Sequence, residues 1–203
     1  MHCGPLGCVV CGRVVGGAVV AMDGEPLFEN RDVVPWWTRE TVRLAPSPSA
    51  ASFAVEAPGD RAWVQAVEMY DGYFKRAFHA ELDVVDGTVR CDTERDVLKV
   101  AIVDRHHATE TVGIGYVRGF AMRRGAIAAT TNCENQNLVL VGTSDDELLA
   151  AARAAERMGG GYVAVCDGEV IASCPLPIAG VMSDLPWEEV LVHTPRGIGF
   201  VCL

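Results

Sequence analysis

The chain has 203 residues, of which 50% are hydrophobic and 22% charged, and its formal net charge is −10 at pH 7. This length and apolar content can form a hydrophobic core without help from disulfides or a metal. The negative charge argues against a nucleic-acid partner, and with no signal peptide and no apolar run long enough for a bilayer we expect a soluble, cytoplasmic protein.

Cysteines are concentrated at the start of the chain. Cys3, Cys8 and Cys11 have Cys-x4-Cys-x2-Cys spacing beside His2, which an iron–sulfur loop or a zinc site could use. A fourth ligand would have to come from far away, and the valines between Cys8 and Cys11 favour a strand. We therefore interpret the eight cysteines as free thiols and expect no metal and no cofactor.

Most of the chain is predicted to be strand, with tight turns at Asp-Gly pairs that join adjacent antiparallel strands. These pairs are Asp23-Gly24, Asp71-Gly72, Asp86-Gly87 and Asp167-Gly168. The candidate strands are 17–22, 41–44, 52–56, 62–70, 77–84, 88–91, 97–104, 111–117, 126–130, 138–142, 162–166, 169–174 and 197–201.

One long helix is predicted between Ser144 and Gly159. Ser144 can cap its first turn in a capping box with Glu147, and three glycines from Gly159 end it. Apolar residues recur at spacings of three and four, which gives a stripe that can pack on a sheet. A shorter helix is predicted to begin near Pro186, since proline suits a first helical turn.

These elements predict an α+β fold with a largely antiparallel sheet and helices packed on one face. The segment 44–52 has a linker-like composition, rich in Pro, Ser and Ala. We therefore predict a small strand appendage at residues 1–45 and a main domain at residues 46–203.

The polar segment 131–137, TNCENQN, is the best candidate site, because it interrupts two apolar strands and its polar groups must be satisfied or used. Cys133 is a candidate nucleophile with Glu134, His106 or His107 as the base. The alternative is an inert loop whose cysteine is a small buried residue.

Amides and arginines supply the candidate substrate-binding groups. The side chains of Asn135, Gln136 and Asn137 could bind substrate. The amides of Gln136 and Asn137, or backbone N–H groups, could also hold an oxyanion. Arg118 and Arg123 belong to a local basic group with Arg105 and Arg124 that could bind a small anion. Ordinary surface or paired arginines are the alternative.

The segment GIGYVRGFAMRRGAIAATTNCENQNLVLVG, the helix after it and GGGYVAVCDGEVIASCPLPIAGVMSDLP resemble the C-terminal domain of bacterial and archaeal adenine deaminases. That family shows a G-x-G-F-V-x-G-F-G-L-K-R-G-A run, an S-T-V-A-H-D-S-H-N-like run, a G-G-G helix stop and a P-L-P-I-A-G-L-M-S-D ending. The likeness covers about residues 15–190, and residues 19–28 look like the strand pair that returns from the family's catalytic barrel.

Two departures from the family bear on function. The resemblance implies a metal-binding barrel of typically ~250 residues, which this chain is too short to contain. The family's H-D-S-H-N run aligns with residues 133–137, C-E-N-Q-N. Only Asn137 is identical, and Glu134 replaces the family's aspartate with another acidic residue.

Two hypotheses follow. In the first, the chain is a metal-independent hydrolase or cyclase-type enzyme that uses Cys133 and Glu134. Its substrate would be a nitrogen heterocycle, such as a purine, or an amide or amidine. In the second, the chain is a non-catalytic assembly domain or the partner subunit of a separate barrel. In both cases we expect a homo-oligomer, because a domain that packs on a barrel would expose an apolar face that a second copy can cover.

Overall fold

The computed structural model describes residues 2–4, 7–9, 12–29, 33–46, 48–70, 74–132 and 135–190, with the backbone alone at 2–4, 7–9, 70 and 74. The chain divides into two compact units, Met1–Val34 and Pro35–Leu203. This division falls about ten residues before the predicted boundary at 45/46, because Val42 and Leu44 are buried and Leu44 N donates to Glu156 Oε1 at 2.7 Å. The segment with linker-like composition is therefore part of the second unit.

The first unit consists of short antiparallel strands. They are β1 (His2–Gly4), β2 (Gly7–Val9), β3 (Gly12–Val15), β4 (Ala18–Met22) and β5 (Glu25–Pro26). Cys3 pairs with Cys8 across β1 and β2, whereas Cys11 lies outside the described residues. In the described part of the chain no three His, Cys, Asp or Glu side chains are grouped to hold a metal ion, and that part does not include these cysteine side chains. The metal hypothesis for this segment stays untested.

The second unit contains a nine-stranded sheet in the order β14-β13-β11-β12-β9-β10-β6-β7-β8. Its strands are β6 (Arg61–Tyr70), β7 (Phe74–Val85), β8 (Thr88–Val89), β9 (Leu98–Val103), β10 (Val112–Arg118), β11 (Ala126–Ala129), β12 (Leu138–Gly142), β13 (Gly161–Cys166) and β14 (Glu169–Pro175). All neighbours are antiparallel except β10 and β6, which are parallel. The predicted α+β class is confirmed.

The long helix, α1 (Asp145–Met158), begins and ends where the sequence predicts. Ser144 Oγ accepts the N–H of Glu147 at 3.3 Å, which is one half of the predicted capping box. The Glu147 carboxylate instead accepts the N–H of Gly168 at 3.4 Å. Gly159, at φ +79°, gives the left-handed C-cap. Among the described residues no helix is long and apolar enough to cross a membrane.

The core lies between α1 and one face of the sheet. Alanines on the helix face let its backbone approach the strands closely, and Leu148 fills the space over Gly142, where a Cβ would lie 2.8 Å from Leu148 Cδ2. The residues of this core include Ala101, Ala126, Leu138, Leu140, Leu148, Ala151, Ala155 and Val165.

The opposite face of the sheet, here called the open face, is only partly covered. Met122 packs on Leu98, Val117 and Val141 to form a small buried cluster there. Side chains alternate along a strand, so Ile102, which is 42% exposed, lies on the same face as Leu98.

Two predicted strands are wrong. Residues 41–44 form no strand, although Arg43 N donates to the carbonyl of Arg105 at 3.1 Å. Residues 50–53 form a 3-10 helix (Ala50–Phe53) in which Ser49 N donates to Ser52 Oγ at 3.3 Å. A second 3-10 helix covers Trp36–Thr38, and residues 187–190 are helical as predicted near Pro186. The turn at 71–72 and the strand at 197–201 lie outside the described residues.

Candidate functional site

The polar segment 131–137 connects β11 to β12 at the edge of the sheet where β9 ends. Leu138 pairs with Val103, so the segment lies beside the residues that follow β9 in the chain. Cys133 and Glu134 lie outside the described residues. The remaining residues of the segment are held by hydrogen bonds within the segment and to neighbouring side chains.

The side chain of Asn132 organises this segment. Its Oδ1 accepts the N–H groups of Asn135 at 3.2 Å and Gln136 at 3.0 Å, and its Nδ2 donates to the carbonyl of Asn137 at 2.7 Å. Gln136 Oε1 accepts the N–H of Asn132 at 3.3 Å, and Asn135 Oδ1 accepts the N–H of Asn137 at 3.0 Å. The amides of Asn135 and Gln136, predicted to bind substrate, thus also bind the segment's own backbone.

Arg105 holds the segment from its buried side. Its side chain is buried, its Nε donates to the carbonyl of Gln136, and its Nη2 donates to the carbonyl of Ala179 at 3.1 Å. Burial lowers the pKa of the guanidinium from its usual range. Arg105 forms no ion pair with any described carboxylate, and its buried Nη1 has no hydrogen-bond partner among the described residues.

The backbone next to Arg105 leaves space for its side chain. Gly180 has φ +72°, and a Cβ at this position would lie 2.7 Å from Arg105 Nη1. The buried hydroxyl of Thr130 fixes the same turn, because it accepts the N–H of Gly161 at 2.7 Å and donates to the carbonyl of Gly180. Gln136 itself has φ +55°, an uncommon conformation for a residue other than glycine.

His106 lies against the exposed side of the segment. Its Nε2 is 2.9 Å from the carbonyl oxygen of Asn135. Asp104 fixes the turn that carries it: Oδ1 accepts the N–H groups of His106 at 3.0 Å and His107 at 3.4 Å, and Oδ2 accepts the hydroxyl of Thr109 at 2.7 Å. The Thr109 hydrogen bond, followed by that from His106 N, lowers the pKa of Asp104 well below its usual range.

His107 points away into solvent, with its side chain 80% exposed and its Nδ1 3.6 Å from Asp104 Oδ1. Of the two predicted histidines, only His106 contacts the described part of the polar segment through its side chain. Asn137 contributes a further polar atom, since its Oδ1 is buried without a hydrogen-bond partner among the described residues.

The predicted basic group is divided between the two ends of the sheet. Arg118 lies at the far end of β10, about 20 Å along the strand from Val112. It pairs with Glu68, with Nε at 2.9 Å from Oε1, and stacks on the ring of Phe78. Arg123 donates to the carbonyl of Thr93 at 2.8 Å. The structure therefore does not bring Arg118 and Arg123 together with segment 131–137.

Several residues that position the site could not be predicted from the sequence. Asp104 at a strand end could have indicated the turn carrying His106, because an Asp side chain there can accept the N–H two residues later in an Asx-turn. Arg105, Thr130 and Gly180 carry no local signal, because their partners are 31 to 74 residues away in the chain.

Comparison with known proteins shows the family to which the chain is similar. Residues 73–195 match the family described as adenine deaminase C-terminal domain. An adenine deaminase of Desulforamulus reducens is 41% identical over 178 residues, which is 86% of this chain and 30% of that protein. An adenine deaminase of Clostridium botulinum, strain Loch Maree, is 48% identical over 183 residues, 87% of this chain and 30% of that protein. An adenine deaminase of Gluconobacter oxydans is 37% identical over 184 residues, which is 90% of this chain and 32% of that protein. The chain thus spans about a third of the length of the relatives that it matches.

Proposed function

Because this chain belongs to the adenine deaminase C-terminal domain family, we propose that it serves adenine deamination by presenting segment 131–137 to the catalytic part of such an enzyme. The relatives are named for the deaminase activity, and about 70% of the Desulforamulus reducens protein lies outside the match. We assign the reaction itself to that remaining part.

The buried Arg105 is the observation that supports this proposal. Arg105 has no carboxylate partner within the described part of the chain, and burying such a charge costs several kcal/mol. Here two of its donors are used on backbone carbonyls of Gln136 and Ala179. A segment that only connects β11 to β12 needs no such support, whereas a segment that must meet another surface in a fixed conformation does.

Co-expression tests the proposal. The 203-residue chain would be produced together with the Desulforamulus reducens adenine deaminase from which the matched 178 residues are removed, and adenine consumption would be measured. We expect the chain to co-purify with that protein and to raise its deamination rate above that of the truncated protein alone. Absence of both effects would contradict the proposed function.

A stand-alone enzyme is the second candidate. It is favoured by the 2.9 Å contact between His106 Nε2 and the carbonyl of Asn135, because Asn135 is two residues from Cys133 in the chain. In this function Nδ1 of His106 takes the thiol proton, because Nε2 donates to the carbonyl of Asn135. The Cys133 thiolate adds to an amide or amidine carbon of a nitrogen heterocycle, the C–N bond breaks as His106 returns the proton to the departing nitrogen, and water then hydrolyses the thioester or thioimidate to release the thiol. Glu134 and the nearby amides orient the substrate.

Turnover by the chain alone distinguishes this second candidate. Purified chain would be assayed with adenine and related purines, and Cys133→Ser should abolish any activity without changing the thermal midpoint. A matched control is Cys91→Ser, because burial raises the pKa of that thiol to about 11 and leaves it protonated. Equal activity of the Cys133 variant and the wild type would eliminate this candidate.

A further inference from the structure

The centre of the open face is apolar and its border is polar. Every residue that β9, β10, β11 and β12 place on this face is glycine, alanine or an aliphatic residue. On β7, which lies beyond β6, the same face instead carries His79, Glu81 and Asp83. An apolar centre with a polar rim is the composition of a specific protein–protein interface.

Two glycines leave a trough in this face. Gly113 and Gly115 lie inside β10, which pairs with β9 without a bulge, and neither has a positive φ. The backbone therefore does not require glycine at either position. Among the described residues, a Cβ at Gly113 would meet only the carbonyl oxygen of Ile102 at 3.9 Å, and one at Gly115 only Val100 Cγ1 at 3.5 Å. Glycine weakens the interior of a strand, and it is typical of places where another chain or a ligand approaches closely.

Trp63 stands beside this trough. Ala66 on β6 pairs in parallel with Tyr116 on β10, and three residues back along both strands this register leads to Trp63 and Gly113. Val64 and Ala66 pack in a core cluster on the helix side of the sheet, so Trp63 lies on the open face by alternation. Its side chain is 73% exposed. A large exposed side chain and an empty hollow thus occupy neighbouring strands, which are about 5 Å apart.

This arrangement is self-complementary. A two-fold axis that runs above the face, parallel to the strands and between β6 and β10, places Trp63 of each copy over Gly113 of the other. A different partner that filled only the trough would leave Trp63 exposed, whereas a second copy covers both features at once. Tryptophan is also among the residues that most often dominate the free energy of binding.

We propose that the open face binds the open face of a second copy of this chain, with Trp63 of each copy inserted into the trough at Gly113 and Gly115 of the other. The uncharged strands around the trough then form the apolar centre of the interface. The ion pairs of Arg61 with Glu81 and Asp83 lie at its rim.

Two substitutions test the contact from its two sides. Trp63→Ala removes the inserted side chain, and Gly113→Val fills the trough. Both variants should keep the thermal midpoint of the wild type, because Trp63 is exposed and a side chain at Gly113 has an ordinary φ and open space. In light scattering over a concentration series, we expect each variant to dissociate about tenfold more readily than the wild type.

An exposed tryptophan elsewhere gives the matched control. Trp36 is 84% exposed but lies in the 3-10 helix Trp36–Thr38. Trp36→Ala should therefore associate like the wild type. If association weakens with Trp36→Ala and not with Trp63→Ala, the assignment is overturned.

Mixing the two variants tests the insertion itself. In a mixed dimer, Trp63 of the Gly113→Val chain meets the intact trough of the Trp63→Ala chain, and the second contact sets the substituted alanine against the substituted valine. We expect the mixture to associate more tightly than either variant alone. A general apolar contact would instead give a mixture of intermediate affinity, and that result would overturn the insertion of Trp63 into the trough.

The remaining outcomes are equally decisive. A wild type with the mass of one chain at micromolar concentration overturns the interface. If Gly113→Val lowers the thermal midpoint, Gly115→Val replaces it, because its Cβ makes an ordinary contact with Val100. Association is measured on this chain alone, so the result is independent of whether co-expression raises adenine deamination.

Discussion

The guanidinium of Arg105 donates from Nε to the backbone carbonyl of Gln136, 31 residues later in the chain. This bond joins the end of β9 to the segment before β12. It fixes a polar loop by a buried charge, whereas loops at a sheet edge are usually fixed by their own turns. The segment is held further by the side chains of Asn132 and His106.

Replacing Arg105 by lysine should destabilise the chain by about 1–3 kcal/mol. Lysine keeps the charge but has no planar fork, so it cannot reach the carbonyls of Gln136 and Ala179 together and leaves at least one of them buried and unpaired. Urea unfolding measures the change. Arg123→Lys is the control, because Arg123 is exposed and a surface substitution should stay within about 0.5 kcal/mol. Equal unfolding free energies of the two variants would contradict this role of Arg105.

Gly180→Ala should destabilise more than an alanine at a comparable turn. Both Gly180 and Gly87 have positive φ, +72° and +74°, so alanine is strained by about 1–2 kcal/mol at either position. Only at Gly180 would the new Cβ lie 2.7 Å from Arg105 Nη1, because Gly87 has nothing within 4 Å. The difference between the two variants therefore reports the contacts of the new Cβ with Arg105 and with Val42 Cγ2, which would lie 3.1 Å away. If thermal unfolding shows equal losses, the guanidinium moves at no cost.

Local sequence predicted the parts of the fold that local interactions decide. The three Asp-Gly turns within the described residues place both residues at positive φ, as at Asp86 and Gly87, and the helix is bounded by Ser144 and Gly159. The strand predicted at 52–56 failed because Ser49 and Ser52 bond to each other and close a 3-10 turn. Alternation of side chains cannot reveal that bond.

The functional role of segment 131–137 stays a prediction, and the contacts that support the segment could not be predicted from the local sequence. Segment 131–137 was identified from polarity between two strands, and the neighbouring His106 was a candidate because it follows a strand. The order of the strands in the sheet decided that β9 pairs with β12 and brings His106 to Asn135. Pairing of strands far apart in the chain also placed Arg118 at the opposite end from Arg105.

Asp104→Asn should weaken the turn that carries His106, and the loss should depend on pH. The folded state lowers the pKa of Asp104, mainly through the Thr109 hydroxyl. The carboxylate therefore stabilises the fold above its unfolded pKa of about 3.9, and this contribution is lost as the pH falls towards the folded value. We expect a lower thermal midpoint than wild type from pH 5 to 8 and a shrinking difference below about pH 4. Glu110→Gln, which removes the same charge from the same segment, should show no such pH dependence; a parallel loss in both variants would indicate a general charge effect.

The open face of the sheet predicts self-association through a second copy. Strands β6, β10, β9, β12 and β11 give this face a span of about 24 Å by 20 Å, enough to supply much of the ~800 Å² that each partner buries in a standard interface. Ile102 lies on β9, the middle strand of the five, beside Gly113 and Val139, and is 42% exposed.

Light scattering at micromolar concentration should therefore give at least twice the mass of one chain, and Ile102→Glu should reduce it to one. Burying the new carboxylate in an apolar interface would leave it unpaired, which costs more than such an interface gains from one isoleucine. Ile171→Glu is the matched control, because Ile171 is equally exposed at 48% but lies on the edge strand β14. A wild type with the mass of one chain would refute self-association, and an assembly lost only with the Ile171 variant would move the contact from the open face to that edge.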